Sequence, residues 1–394
     1  MVILGVMVII ILIYGFVEQI KHLRRIKQIP IRIHVNGTRG KSTTTRLIAG
    51  GLREAGFKVL AKTTGTLPRL ILEDGTEIPL KRRGNPNISE QLRIFKEAAK
   101  RKVDAVVLEC MAVNPELQWV SEHKMVKSTI GVITNVREDH LEDIGPGLAP
   151  MAEALKLTIP QGGILVTAEK DYFPVFREQA AKLKTKIILA EPNTVSDRVM
   201  EKFNYLNFKE NVSLALQVNK LLGVEEEVAL KGMLQAQPDP GALKIYKLPK
   251  NGKTLFFINA FAANDKSSTL LIWENLRKRT DLNLDYLPTV GIINSRDDRV
   301  LRDLQFAKLL AEEIKLSKII LVGQLSKLVE RALLKLKVSP DKILNLEKIG
   351  EVEKILSVVL TYIDNDQGVL IGFGNTKGMG QKLIDYFNQW GETK

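Results

Sequence analysis

Cysteine is almost missing: Cys110 is the only one in 394 residues, so no internal disulfide can form and nothing signals an oxidising compartment. Histidine is scarce too, at 4, and no Cys/His cluster has the spacing of a zinc site. There is no low-complexity tract and no solenoid-length repeat, which removes fibrous and array architectures. No segment has the pattern of a helix-turn-helix, a zinc finger or an aromatic RNA-binding strand, so nucleic acid is not an expected partner. What remains is a globular composition, 45% hydrophobic and 26% charged, long enough for two domains.

The charge that is present is uneven. Residues 18–102 hold 20 Lys and Arg against 7 Asp and Glu, which accounts for the whole excess of +13. A basic N-terminal third suits anionic lipid, nucleotide phosphates or an acidic substrate. Residues 1–17 (MVILGVMVIIILIYGFV) carry no charge at all. As a helix they reach roughly 26 Å, close to the lower limit for crossing a bilayer's hydrocarbon core. Lys21, Arg24, Arg25, Lys27 and Arg32 come after the apolar run, whereas a cleaved signal peptide carries its cations before it. The expectation is a single-pass transmembrane anchor at 1–17 in the cell membrane, with the main body on the cytoplasmic side. A buried core element is the competing reading.

Beyond a short basic connector, β-branched apolar runs alternate with helical patterns. Strands are expected at 31–36, 58–62, 70–72, 104–109, 129–135, 163–167 and 186–190, with helices at 41–55 and 89–101. Runs such as DAVVLE and TIGVITN have the continuous apolarity of strands buried on both faces of a parallel sheet. QPDPG at 237–241 interrupts the series, because two prolines and a glycine cannot extend a helix. A second alternating set follows, with strands at 254–259, 289–295, 318–322 and 368–373. The fold class is therefore α/β, with an anchor at 1–17, one domain at 18–240 and a smaller one at 241–394.

Between the first strand and the first helix stands Asn36-Gly37-Thr38-Arg39-Gly40-Lys41-Ser42-Thr43. Phosphate binding needs this position, since glycines let backbone N–H groups close around phosphate oxygens and the helix N-terminus adds partial positive charge. Lys41 is placed to reach the β- and γ-phosphates of ATP, and Ser42 to ligate Mg²⁺. The standard G-x-x-x-x-G-K-[ST] pattern fails at its first position, where Val35 replaces glycine.

GTRGKSTTTRLIAGGLREAGFKV resembles the nucleotide loop of the Mur ligases and folylpolyglutamate synthetase, which also dispense with the first glycine. Thr134-Asn135-Val136-Arg137-Glu138-Asp139-His140-Leu141 resembles that superfamily's T-N-x-x-x-D-H-L motif, and FKENVSLAL at 208–216 resembles its H-N-x-x-N-A helix. The segments LAKTTGT, ECMAVNPELQ, GMLQAQPDPGALKI, NAFAANDKSST, NSRDDRV and GFGNTKG are similar to the PgsB/CapB subunits of poly-γ-glutamate synthases. The resemblance implies a P-loop, Mur-ligase-like ATPase domain followed by a Rossmann-like ligase domain. It implies Glu109 as a Mg²⁺ ligand with Ser42, His140 on a second metal, Asn211 as a nucleotide contact, and Lys41, Glu109 and His140 as the catalytic set. It implies ATP and Mg²⁺ as cofactors, a glutamate and a poly-γ-glutamate chain as substrates, and CapC/PgsC-like and CapA/PgsA-like membrane partners. A homo-oligomer stays open.

Departures fall mostly in the second domain. Ala242 stands where peptidoglycan ligases have an arginine after the linking glycine, and Ala262-Ala263-Asn264-Asp265 replaces their D-x-x-H-N-P loop. Lys156 is near the place of the family's carbamylated lysine without a secure match. Asn264, Asp265, Arg296 and Asp298 follow strands, where open α/β sheets display binding loops. Lys62, Thr63, Thr64 and Thr66 are candidates for substrate contact or for a plain turn. Arg82, Arg83 and Asn87 are candidates for the acidic acceptor, or a solvated charge run. Two other functions fit a P-loop: a motor or kinase, which has no use for the Glu109/His140/Asn211 series, and a membrane scaffold, which would outlast loss of Lys41.

Overall fold

The computed structural model describes residues 2–65, 68–80, 82, 87–138, 144, 145, 147–203, 205, 207–238, 243–261, 263, 266–279, 282, 284–297 and 300–393. Two compact units emerge, one of residues 1–203 with 207–241 and one of 242–394 with 204–206.

The first unit begins with helix α1 (Val2–Gln28), 27 residues long. Its first turns expose Ile3, Leu4, Ile10, Leu12 and Phe16, while His22 and Ile26 near its other end are buried. Among the described residues no helix is long and apolar enough to cross a membrane. The span expected at 1–17 is therefore not shown. The apolar run is the leading part of a longer helix, whose remaining turns are charged and pack against the folded body.

Behind α1, β-branched residues form β1 (Ile31–Asn36), and a glycine-rich turn leads into α2 (Lys41–Glu54). β2 (Val59–Thr63), β3 (Arg69–Ile71) and β4 (Glu77–Pro79) precede α3 (Glu90–Arg101), β5 (Ala105–Glu109) and α4 (Pro115–Val120). A π-helical turn (Ser121–Val126) continues α4 into β6 (Ile130–Ile133), α5 (Leu148–Leu155), β7 (Ile164–Thr167), α6 (Phe173–Lys182) and β8 (Lys186–Leu189). Helices α7 (Lys209–Leu221) and α8 (Glu226–Gln235) close the unit.

The eight strands form one sheet in the order β4-β3-β2-β5-β1-β6-β7-β8. From β2 to β8 every pair is parallel, but β3 and β4 are antiparallel, an edge that the expectation of parallel βαβ units did not include. The connections 64–68 and 72–76 have five residues each, too few for the crossover a parallel pair needs. One face is covered by α1 and α3, where Ile26, Ile94, Phe95, Val106 and Leu108 are buried together. The other carries α2, against which α7 and α8 pack. Each such side chain, fully buried, contributes roughly 1.5–3 kcal/mol. The order steps away from β1 in both directions, so the loop after β1 opens at the point where open α/β sheets place ligands.

The second unit is a seven-stranded sheet built on the same logic. Its strands are β9 (Ile245–Lys250), β10 (Lys253–Asn259), β11 (Thr289–Ser295), β12 (Lys318–Gly323), β13 (Ile343–Asn345), β14 (Gln367–Gly374) and β15 (Glu392–Thr393), ordered β13-β12-β11-β14-β10-β9-β15. β9 and β15 form an antiparallel edge. Helices α9 (Lys266–Arg277), α10 (Val300–Glu312), α11 (Ser326–Lys335), α12 (Val352–Thr361) and α13 (Met379–Trp390) alternate with the parallel strands. Phe257, Phe387 and Tyr246 anchor its core, with the Phe257 and Phe387 rings stacked at 4.2 Å.

Candidate active site

The loop between β1 and α2 is gripped from one side. Thr38 and Arg39 donate their backbone N–H groups to the carbonyl and the side-chain Oδ1 of Asn135, both at 3.0 Å. In return Thr134 Oγ1 and Asn135 Nδ2 donate to the Arg39 carbonyl, at 2.7 and 3.0 Å. Two glycines permit this closeness. Gly37 has φ +124°, and a Cβ there would fall 2.1 Å from Thr134 Oγ1 and 2.7 Å from the Thr134 backbone nitrogen. Gly40 has φ +83°, and its Cβ would fall 2.3 Å from Asn211 Oδ1. Both conformations lie in the left-handed region that glycine alone enters cheaply.

Asn36 is buried at the end of β1 and also lines the cavity. Its buried amide donates to Gln118 Oε1 at 2.9 Å and Thr158 Oγ1 at 3.2 Å, which fixes the strand end and the start of the loop. Asn211 is likewise buried on α7, accepting from Thr44 Oγ1 at 3.3 Å behind the loop. Lys41 lies within the loop's own curve, its ammonium donating to the carbonyls of Gly37 and Thr38 at 2.8 and 3.1 Å. Ser42 and Thr43 follow it in the first turn of α2, where helical N–H groups lack intrahelical acceptors.

The neighbouring strand β5 brings in the carboxylate. Glu109 pairs in register with Val35 and is nearly inaccessible, at 3% exposure. Ser42 Oγ donates to its Oε2 at 2.8 Å, and the Thr64 N–H donates to the same oxygen at 2.6 Å. A hydroxyl and a carboxylate are hard oxygen donors of the kind Mg²⁺ takes while keeping its other positions for water and phosphate. Among the described residues no group of three or more His, Cys, Asp or Glu is arranged to hold a metal. His140, expected on a second metal, lies outside the described residues, as do Thr66, Arg83, Asn264, Asp265 and Asp298.

A cavity of about 280 Å³ opens here, lined by Gly37, Thr38, Arg39, Lys41, Thr64, Glu109 and Arg82 among others. Behind it sits a buried charge cluster that the motifs did not foretell. Arg82 holds Glu90 with Nε at 2.7 Å and Nη2 at 3.3 Å, and the fully buried Lys62 ammonium lies 3.2 Å from the same carboxylate. Burial depresses Lys62, with the Glu90 charge pulling the other way. Burial works against the Glu90 carboxylate, but the Arg82 hydrogen bond and the Lys62 charge outweigh it and bring Glu90 below the usual range. The signal in sequence was the pair of basic residues at 82 and 83, which did not distinguish a clamped arginine from a solvated one. Lys156 pairs with Glu153 and is not part of the cavity lining.

In the second unit, Arg296 begins the loop after β11, its N–H donating to Asp303 at 3.0 Å. Asn375 joins the same carboxylate at 3.2 Å, and Asn294 donates to its carbonyl. This buried network ties together the loops at the C-terminal ends of β11 and β14.

Residues 35–237 match the family model of the Mur ligase middle domain, and residues 245–390 match that of the poly-gamma-glutamate synthase CapB C-terminal domain. Over 385 residues the chain is 43% identical to the capsule biosynthesis protein CapB of Bacillus anthracis, covering 97% of this chain and 82% of that one. It belongs to the CapB family of Mur-type ligases. A second CapB, the PGA synthase CapB of Bacillus subtilis strain 168, is 40% identical over 383 residues, covering 97% and 96% of the two chains. Among solved structures, E. coli FolC in complex with ADP superposes with a TM-score of 0.69 at 14% identity, covering 94% of this chain and 92% of that one. MurF from Acinetobacter baumannii gives 0.64 at 17%, covering 94% and 78%. These last two likenesses show that the chain shares their fold.

Proposed function

We propose that this chain is an ATP-dependent amide ligase that lengthens poly-γ-glutamate. The observation that carries the reading is the meeting of Lys41, Thr64 and Glu109 on one cavity at the end of β1 and β5, with Ser42 bonded to the Glu109 carboxylate, in a chain of the CapB family. A carboxylate does not condense with an amine near neutral pH, because oxide is too poor a leaving group. Transfer of the γ-phosphoryl group to a carboxylate oxygen of the chain end forms a P–O bond as the bond to the β-phosphate's bridging oxygen breaks, releasing ADP. The amine of glutamate then attacks the acyl carbon. Phosphate departs with the former carboxylate oxygen, and the amine gives up a proton.

Positioning and charge neutralisation do most of this work. The N-terminus of α2 receives the phosphates, the Thr38 and Arg39 N–H groups being committed to Asn135, and Lys41 follows the transferring group. Ser42 and Glu109 would hold Mg²⁺, which neutralises phosphate charge when bound; His140 is proposed for a second ion on the strength of the motif alone. Arg82, held in plane by Glu90, is proposed to receive the non-reacting carboxylates of the acceptor, since its remaining Nη1 has two donors to give. For the second unit the proposal is that Asn264, Asp265, Arg296 and Asp298 serve nucleotide or incoming glutamate.

The reading includes attachment to the membrane. The exposed aliphatic side chains along the first turns of α1 support it, because water leaves them unburied and a bilayer would not. The basic residues after Val17 favour a cytoplasmic body, and CapC/PgsC-like and CapA/PgsA-like partners are proposed by kinship. The experiment is ATP-dependent incorporation of labelled glutamate into polymer by membranes carrying the chain. Incorporation that persists after Lys41→Ala, or that needs no ATP, would defeat the reading.

A further inference from the structure

At the opposite end of β1 from the phosphate loop lies a second cavity, of about 500 Å³. Arg32 and Lys127 line it, together with Ser128, Thr129 and His123. The Arg32 guanidinium is fixed by backbone: Nε donates to the Lys127 carbonyl at 2.8 Å, and Nη1 to the Ile29 and Pro30 carbonyls at 2.7 and 3.3 Å. Its Nη2 makes no hydrogen bond to any described residue. The one acid in the lining, Glu122, is already engaged. It accepts from Ser128 N and Oγ at 2.8 and 2.9 Å and from the buried His34 ring at 2.8 Å. The cavity therefore presents net positive charge.

Beyond His123 the neighbouring surface is aromatic and basic. His123 lies against Trp119 with ring centres 5.3 Å apart, and the Lys124 ammonium sits 5.2 Å from the centre of the Trp119 ring, which is 41% exposed. Half-exposed tryptophan beside lysine is the pairing found where protein meets a membrane interface. The same edge receives α1. His22 donates to the Met125 carbonyl at 2.7 Å, and the charge of Lys127 reaches the His22 ring. Only four residues, about 8 Å of helix rise, separate His22 from Val17, the end of the charge-free run.

We infer that this cavity binds the phosphate of an anionic phospholipid headgroup, received by Arg32 Nη2 and the Lys127 ammonium, so that the bilayer holding α1 also holds the domain by its underside. The inference rests on the proposed membrane attachment and goes beyond it. A cation beside an anionic surface is worth about fivefold in lipid affinity. Lys127 has φ +47°, so Lys127→Asn removes the charge while keeping a residue at ease in that conformation.

The test uses the full chain, delipidated in detergent, titrated with phosphatidylglycerol, phosphatidylcholine and inorganic phosphate, with bound lipid read by native mass spectrometry. Wild type should retain phosphatidylglycerol over phosphatidylcholine, and Lys127→Asn should weaken that retention about fivefold, with Lys124→Gln as a second, milder loss. Equal retention by wild type and both variants overturns the inference, as does full displacement of the lipid by inorganic phosphate, which would assign the cavity to the free anion. Flotation with phosphatidylcholine vesicles separates the two layers. A chain that does not float loses the membrane reading, whereas one that floats with an unaltered lipid preference in the variants loses only the headgroup site.

Discussion

Replacing Gly37 by alanine should disable the nucleotide loop, and the size of the effect follows from two separable costs. The first is conformational. At φ +124° an L-residue is strained by about 1–2 kcal/mol or more. The second is steric. A new Cβ would lie 2.1 Å from Thr134 Oγ1 and 2.7 Å from the Thr134 backbone nitrogen, and the latter belongs to the chain leaving β6 and cannot rotate away. The loop must retreat, which sacrifices the Thr38 and Arg39 N–H bonds to Asn135 and the two return bonds to the Arg39 carbonyl. At about 1 kcal/mol each, these add roughly 4 kcal/mol. Gly56→Ala is the control, because Gly56 has φ +90° but open space around its Cβ position, so only the first cost applies. Urea unfolding of the full chain and calorimetric ATP binding read the two effects. Gly56→Ala should lose about 1–2 kcal/mol and bind ATP normally. Gly37→Ala should lose several kcal/mol more and bind ATP at least about 30-fold more weakly. Equal losses in the two variants, or ATP binding undiminished by Gly37→Ala, would refute the close-approach argument.

Glu109→Gln keeps an acceptor for Ser42 and Thr64 but removes the charge, so phosphate release at saturating Mg²⁺ should fall at least about 100-fold while circular dichroism is unchanged; a loss under tenfold would count against a catalytic carboxylate. Arg82→Ala and Glu90→Gln should each raise KM for the polymeric acceptor about tenfold or more with kcat little affected, and an unchanged KM would remove Arg82 from acceptor binding. His34 has its own pH signature. Burial opposes its protonation, but interactions with Cys110 and the Glu122 carboxylate prevail and raise its pKa from 6.5 to about 10. Its contribution to stability is thus complete below pH 6.5 and is lost as pH rises toward 10. His34→Asn should flatten the fall in urea midpoint across that window, and an identical slope in both proteins would exclude the pair as its source.

Much of the site was legible because its chemistry is local. The loop, its lysine and its hydroxyl are consecutive, and the turn between an apolar strand and a helix announces itself by spacing. Glu109 was legible because a carboxylate ending a buried strand stands out among AVVL neighbours. Thr134 and Asn135 were visible as part of a motif, but their task of bracing the loop depends on β6 lying beside β1, a neighbour relation that no spacing conveys. That the buried amides of Asn36 and Asn211 also brace the loop, with Asn36 still on the cavity lining, was not legible, since residue type does not say which partners a polar side chain finds. The Arg82–Glu90–Lys62 cluster was missed because its members come from a loop, a helix start and a strand. The antiparallel edges were missed for a simpler reason: three-residue strands carry no periodicity, and β15 has two. At the N-terminus the apolar run was plain, but its continuation as one helix through charged residues to Gln28 depends on packing against α3, which hydropathy does not register.

On the proposed mechanism, the cavity beside Lys41 passes a phosphoryl group to a chain-end carboxylate. Acceptor polymer and glutamate, both enriched in ¹⁸O at their carboxylates and incubated with the full chain, ATP and Mg²⁺, test this by mass spectrometry of the released phosphate. Acyl-phosphate chemistry predicts one labelled oxygen in inorganic phosphate for each amide formed, with ADP as the nucleotide product. Label appearing in AMP, or polymer growing while the phosphate stays unlabelled, would contradict it.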